Sequence, residues 1–154
     1  MGQMDRFKLD GQVALVGGGG GAIGGAMAGA LAEAGAKVAV VDISQELVDA
    51  TKARVEAAGG ECLAIAGDMT QRDEADAVVD EVVKHLGKLD IMVNAIGGGA
   101  GKVLFEAQDY PDDAWDWIYD INVRCTLVPT QAAVKAMVAA GNGGKVLNIS
   151  SVRA

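Results

Sequence analysis

An α/β fold on a parallel sheet is predicted by three observations. Short apolar runs alternate with helix-period segments along all 154 residues, the pattern of successive βαβ units. Hydrophobic residues make up 51% of the chain and aromatics only 4%. The apolar mass is therefore Ala and Val, which suits closely packed helices and strands better than an aromatic-rich β sandwich. Finally, the first apolar run passes directly into glycines at 17–21 and then into an Ala-rich helical segment.

Strands are expected at 13–16, 37–41, 62–66, 91–94 and 145–149. The helix after the second has Ser44 as an N-cap candidate with Glu46 in its first turn, and Gly59 closes it. Thr70 followed by Asp73 resembles a capping box. Beyond it Ala75, Val78, Val79, Val82, Val83 and Leu86 form one apolar stripe, ended by Gly87. His85 lies in that last turn, where a surface or capping role suits the helix dipole.

Pro111, Asp112 and Asp113 open a further helix that runs to Val138, with Pro129 inside it. Proline removes a donor and collides with the carbonyl four residues back, so a kink or split is expected near Cys125. The glycine-rich stretch 141–144 reads as a turn into the fifth strand. No repeat, charged block or Pro-rich linker divides the chain, so one domain over 1–154 is expected.

A formal charge of -8 argues against nucleic acid and anionic membrane partners, which are held by clustered Lys and Arg. The first eleven residues carry alternating charges and cannot form a secretory signal, and no run reaches transmembrane length. A cytoplasmic location is the expectation. Cys62 and Cys125 are far apart, each in an apolar stretch, which suits buried free thiols rather than a disulfide or a metal pair. No metal site is expected.

Gly19, Gly21 and Gly24 match G-x-G-x-x-G between a strand and a helix, and that context gives an otherwise weak pattern its meaning. Residues without a Cβ let the backbone approach a diphosphate, whose charge is met by free N–H groups at the helix start. Asp42 follows Gly24 by eighteen positions, at the end of the second strand. Dinucleotide folds place an acid there to bind the adenosine ribose hydroxyls. A carboxylate repels a 2′-phosphate, so NAD(H) is expected over NADP(H). The competing readings are a flexible loop for 17–21 and a helix-flanking acid for Asp42. Together these features predict a Rossmann-like, doubly wound parallel sheet of five strands in the order 3-2-1-4-5.

Several separated motifs resemble the short-chain dehydrogenase/reductase family, from Leu9 to Ala154. Residues 17–24 are similar to its T-G-x-x-x-G-x-G, with Gly18 and Gly24 in place, Gly17 for Thr and Ala22 for the middle glycine. The resemblance implies cofactor contacts from Gly18, Gly20, Gly21, Ile23 and Gly24, and from Asp42 and Ile43. It implies that the Asp68 carboxylate accepts a bond from the adenine amino group, assisted by the Met69 backbone. Asn94, Ala95, Ile96 and Gly97 stand where the family has Asn-Asn-Ala-Gly, closing the fourth strand against the cofactor. Asn122 resembles the helix Asn whose carbonyl holds a water in a proton relay. Asn148-Ile149-Ser150-Ser151 makes Ser151 the implied catalytic serine, with Ser150 structural.

The implied reaction is reversible hydride transfer between a nicotinamide and a secondary alcohol or ketone, a sugar, sugar acid or 3-oxoacyl compound. Arg153 would meet an anionic substrate group. The family's Tyr-x-x-x-Lys follows the serine; here Tyr110 and Tyr119 precede it and have Ala114 and Val123 four residues on. The chain is thus expected to be the front part of a longer fold, and inactive alone, since such acid/base help supplies about 10²- to 10⁴-fold. Relatives imply a homo-oligomeric parent, a dimer or tetramer. A non-catalytic dinucleotide-binding or partner-binding module is the alternative.

Overall fold

Each apolar run becomes a strand: β1 (Val13–Gly17), β2 (Lys37–Asp42), β3 (Cys62–Ala66), β4 (Ile91–Asn94) and β5 (Lys145–Asn148). The computed structural model describes residues 2–98, 105–141 and 143–151. All pairings are parallel, and the order is β3-β2-β1-β4-β5, as expected. The two central strands run one residue longer than their apolar runs, and β5 stops one residue short of 149.

Alternation along β1 divides the core. Val13 and Leu15 face one way, with Ala39 and Val41 of β2; Ala14 and Val16 face the other, with Val38 and Val40. The second face is covered by α1 (Ala22–Glu33) and α2 (Gln45–Ala57), through Ala28, Val48 and Val55. The first is covered by α3 (Arg72–Leu86) and α5 (Cys125–Ala140), through Val78, Val82, Val128 and Ala133. Helices on both faces make the sheet doubly wound.

Helix ends follow their chemistry with one exception. Ser44 caps α2, its Oγ accepting from the Leu47 amide at 3.4 Å. Gly59 past α2 and Gly87 past α3 take left-handed φ of 86° and 92°, which stop a helix cheaply only at glycine. The expected Thr70–Asp73 capping box does not form. The N-cap of α3 is Gln71, without a side-chain cap, because the Thr70 hydroxyl is drawn back onto Asp68 Oδ1 at 2.7 Å.

The proline effect is local and traceable. After α4 (Asp112–Tyr119) the chain makes a π-helical turn over Asp120–Arg124, in which the Cys125 amide bonds the Asp120 carbonyl, and α5 then runs through Pro129. Pro129 has no N–H to give the Cys125 carbonyl, and its ring crowds that position. The split thus falls at Cys125, where the sequence places it. His85 is exposed at the end of α3. Both cysteines are free and buried, and burial pushes each thiol up to about 11. Among the described residues, no helix is long and apolar enough to cross a membrane.

Candidate functional site

Parallel register brings the strand ends to one level. Gly17 pairs with Val41 and with Asn94, Asp42 with Ala66, and Asn94 with Asn148. The loops that leave these ends surround a crevice of about 560 Å³. Its walls carry Gly18 and Gly21 after β1, Asp42 and Ile43 after β2, Asp68 and Met69 after β3, and Ala95, Ile96 and Gly97 after β4. A cavity of about 590 Å³ between α1 and α2 is lined mainly by Gly and Ala, with Arg54 and Glu33, and lies away from the strand ends. Open α/β sheets bind ligands beyond the carboxyl ends of their strands, so the crevice is the candidate.

The glycine loop is shaped for close backbone approach. Gly18 has φ +72°, and a Cβ there would stand 2.7 Å from the Ala95 carbonyl oxygen. A Cβ on Gly24 would fall on the Gly18 carbonyl itself. The loop also turns toward Asp42: a Cβ on Gly20 would be 3.0 Å from Asp42 Oδ2, and the Gly19 amide bonds the Val41 carbonyl at 3.0 Å. Gly21 then N-caps α1 with no side-chain cap and no acid in the first turn. The first N–H groups of α1 therefore remain available to an anion. Gly20, Ile23 and Gly24 are not among the crevice walls; Gly20 meets Asp42 and Leu47, Ile23 is exposed, and Gly24 packs beneath Gly18.

Of the three acids in the crevice walls, Asp42, Asp68 and Asp120, the two at the strand ends differ. Asp42 carries no side-chain hydrogen bond among the described residues, so its carboxylate is open to a hydroxyl pair. Asp68 is partly engaged, accepting from the Thr70 amide at 2.9 Å and its hydroxyl at 2.7 Å. Burial pushes the Asp68 carboxyl up, but the hydrogen bonds from Thr70 and Gln71, with Arg124 nearby, outweigh it and hold the group below its ordinary value. The Asp68 amide is itself taken by Glu74 Oε2 at 2.7 Å.

Sequence reasoning missed seven walls: Gly67, Thr70 and Gln71, which flank Asp68 and Met69, and four residues on the helical side. Trp117, Asp120, Ile121 and Cys125 close the crevice from the end of α4, the π-helical turn and the start of α5. Only long-range folding places them there; the aromatic at 117 was the one available signal.

The remaining site candidates lie beside the crevice. Asn94 is 1% exposed and acts as a brace: its Nδ2 donates to Thr130 Oγ1 at 2.9 Å and to Asn148 Oδ1 at 2.7 Å, tying β4 to α5 and β5. Its Oδ1 is buried without a partner among the described residues. Asn122 clamps the loop after β4, accepting from the Gly98 amide at 3.1 Å and donating to the Gly98 carbonyl at 2.9 Å. Its own carbonyl accepts from Thr126 Oγ1 at 3.1 Å. Together with Thr126, Thr130 and Asn148 it lines a cavity of about 330 Å³ next to the crevice. Ser151 is exposed three residues beyond the end of β5. Arg153 lies outside the described residues.

The short chain dehydrogenase family matches residues 12–154. Sorbitol dehydrogenase of Cereibacter sphaeroides is 37% identical over 147 residues, covering 94% of this chain and 54% of that protein. The crystal structure of a short-chain type dehydrogenase/reductase from Mycobacterium marinum superposes with a TM-score of 0.91 at 34% identity, covering 98% of this chain and 60% of that one. A 7α-hydroxysteroid dehydrogenase complexed with NADH and 7-oxo glycochenodeoxycholic acid follows at 0.88 and 34% identity, with coverages of 98% and 57%. The chain spans about half the length of the curated relatives it matches. Sheet order, strand-end crevice and these likenesses agree: the chain belongs to the short-chain dehydrogenase family.

Proposed function

We propose that this chain forms the nucleotide-binding part of an NAD(H)-dependent oxidoreductase acting on a secondary alcohol or its ketone. The observation that carries the reading is the approach of the bare glycine backbone at Gly20 to the unengaged Asp42 carboxylate. A diphosphate resting on the first amides of α1 would bring its adenosine ribose to that carboxylate. The crevice fits such a group: Cβ atoms at 18 or 24 would fill the cradle, and among the described residues the walls hold Asp42, Asp68 and Asp120 but no Lys or Arg to receive a 2′-phosphate. When bound, a nicotinamide supplies hydride chemistry.

The protein's own part is orientation. Asp68 would accept from the adenine amino group with whatever lone pair Thr70 leaves it, and Trp117 and Ile121 would wall the crevice on the helical side. Ser151, delivered by β5 to the same edge, would hold the substrate oxygen. The Asn122 carbonyl, which accepts from Thr126 Oγ1, would also hold the relay water. Sorbitol and a 7α-hydroxysteroid both present secondary hydroxyls, which supports that substrate class.

Titration with NADH and NADPH, read by Trp117 emission against a Trp117→Phe control, tests the reading. NADH is expected to bind at least about tenfold more tightly than NADPH, and Asp42→Ala to weaken NADH by about tenfold, the value of a charge-assisted hydrogen bond. Equal affinities for the two would remove the selectivity assigned to Asp42. Absence of binding to either would remove the function.

A further inference from the structure

A loop made only of glycine cannot order itself. Residues 17–21 carry no side chain, and glycine has more backbone freedom to lose than any other residue. Among the described residues, one side chain hydrogen-bonds to this loop. Thr51, on α2 and 1% exposed, donates its hydroxyl to the Gly19 carbonyl at 2.9 Å. The Thr51 oxygen in turn accepts from Arg54 Nη2 at 2.8 Å. Donation into that oxygen polarises the hydroxyl and strengthens the bond it gives.

Two residues of this group have no other explanation in the fold. Thr51 occupies a position in the buried stripe between Val48 and Val55, where valine would fill the same space without a hydroxyl to satisfy. Gly25 lies inside α1, where glycine is worse than alanine by about 1 kcal/mol. A Cβ at Gly25 would stand 2.6 Å from Arg54 Nη2, 3.2 Å from Thr51 Oγ1 and 3.3 Å from the Gly19 carbonyl oxygen. The absent side chain is the space in which the guanidinium reaches Thr51.

We infer that Thr51, held by Arg54 in the room left by Gly25, is a positioning residue for the nucleotide loop, setting the plane of the Gly19–Gly20 peptide. In a trans peptide the carbonyl and the following N–H point in opposite directions. Anchoring the Gly19 oxygen toward α2 therefore aims the Gly20 amide away from α2, as a donor held in advance of the ligand. This role rests on the dinucleotide reading above.

The test compares Thr51→Val, Thr51→Ser and Arg54→Met in the 154-residue chain, with NADH and adenosine as probes and amide exchange of residues 18–21 as a second readout. Thr51→Val is expected to lower NADH affinity about fivefold, the equivalent of one net hydrogen bond, and Arg54→Met about twofold. Adenosine, which has no diphosphate, should bind within about twofold of wild type, and Thr51→Ser should restore NADH binding. Exchange at 18–21 should rise at least about tenfold in Thr51→Val while the β1 amides keep their protection. Arg54 is exposed, so its variant folds whatever Thr51→Val does. Unchanged NADH affinity and loop exchange in both non-conservative variants would overturn the brace and leave the dinucleotide reading standing. Equal losses for NADH and adenosine would mark general damage and overturn it too. A wild-type chain that binds no NADH would overturn both.

Discussion

The interior of the sheet and its β5 edge are built differently. Around β1 and β2 every strand position from Val13 to Val16 and from Val38 to Val41 is fully or almost fully buried, with helices on both faces. At β5 the pattern inverts: Lys145, Leu147 and Asn148 are exposed, and β4 is its sole strand neighbour among the described residues. The outer side of α5 likewise shows Leu127, Val134 and Val138 to solvent. Opening free energy tracks buried apolar contact and protected hydrogen bonds. The β1–β2 region should therefore hold its geometry rigidly, whereas the strand that carries Ser151 depends on a few polar ties, chiefly Asn94.

The largest expected effect strikes the rigid interior. Gly24→Ala places a methyl group on the Gly18 carbonyl, and overpacking of this kind costs about 3 kcal/mol. Urea unfolding should show that loss together with loss of NADH binding; a stable variant that still binds would mean the cradle is not tight. Next comes the tie between the two regions. Asn94→Ala removes the donors to Thr130 and Asn148 and should cost about 2 kcal/mol, with amide exchange rising in β5 and not in β2. Uniform loss across the sheet would deny Asn94 its local role.

The cysteines offer a smaller, comparative probe. Cys62 in β3 and Cys125 at the start of α5 are similarly buried, and burial raises both thiols to about 11 from an ordinary 9.0. Since the folded value is the higher one, the associated stability is complete below about pH 9 and is lost as pH rises toward about 11. Neither thiol should react readily at pH 8, and any difference in alkylation rate reports opening of its region, with Cys125 the faster. Equal rates would erase the contrast. The smallest effect is expected at Val138, 71% exposed, where Val138→Lys should change stability in urea unfolding by no more than about 0.5 kcal/mol.

What could be read from the chain was whatever a short window encodes. Alternating apolar runs gave the five strands, the glycine turn with Asp42 one strand on gave their order and located the crevice, and Pro129 placed the split near Cys125. What could not be read depends on partners distant in sequence. Asn94 reaches Thr130 and Asn148, Asn122 reaches Gly98, and Thr51 reaches Gly19, across separations of 24 to 54 positions. The Thr70 error has the same root at shorter range. A capping hydroxyl accepts through its oxygen, and here that oxygen sits beside Asp68 and accepts from Gln71 Nε2 at 2.8 Å instead of a helix amide.

The π-helical turn at Asp120–Arg124 has a consequence for how this chain tolerates length changes. Such a turn is an α-helix with one surplus residue, and each residue of an α-helix advances the azimuth by about 100°. Deleting one residue there would let the backbone ladder close as an ordinary α-helix with Val128, Ala132, Ala133 and Met137 still facing the sheet, whereas inserting one would swing them a quarter-turn or more off it. Loss of one residue should therefore be borne better at this site than gain of one, although its own side chains are largely solvated.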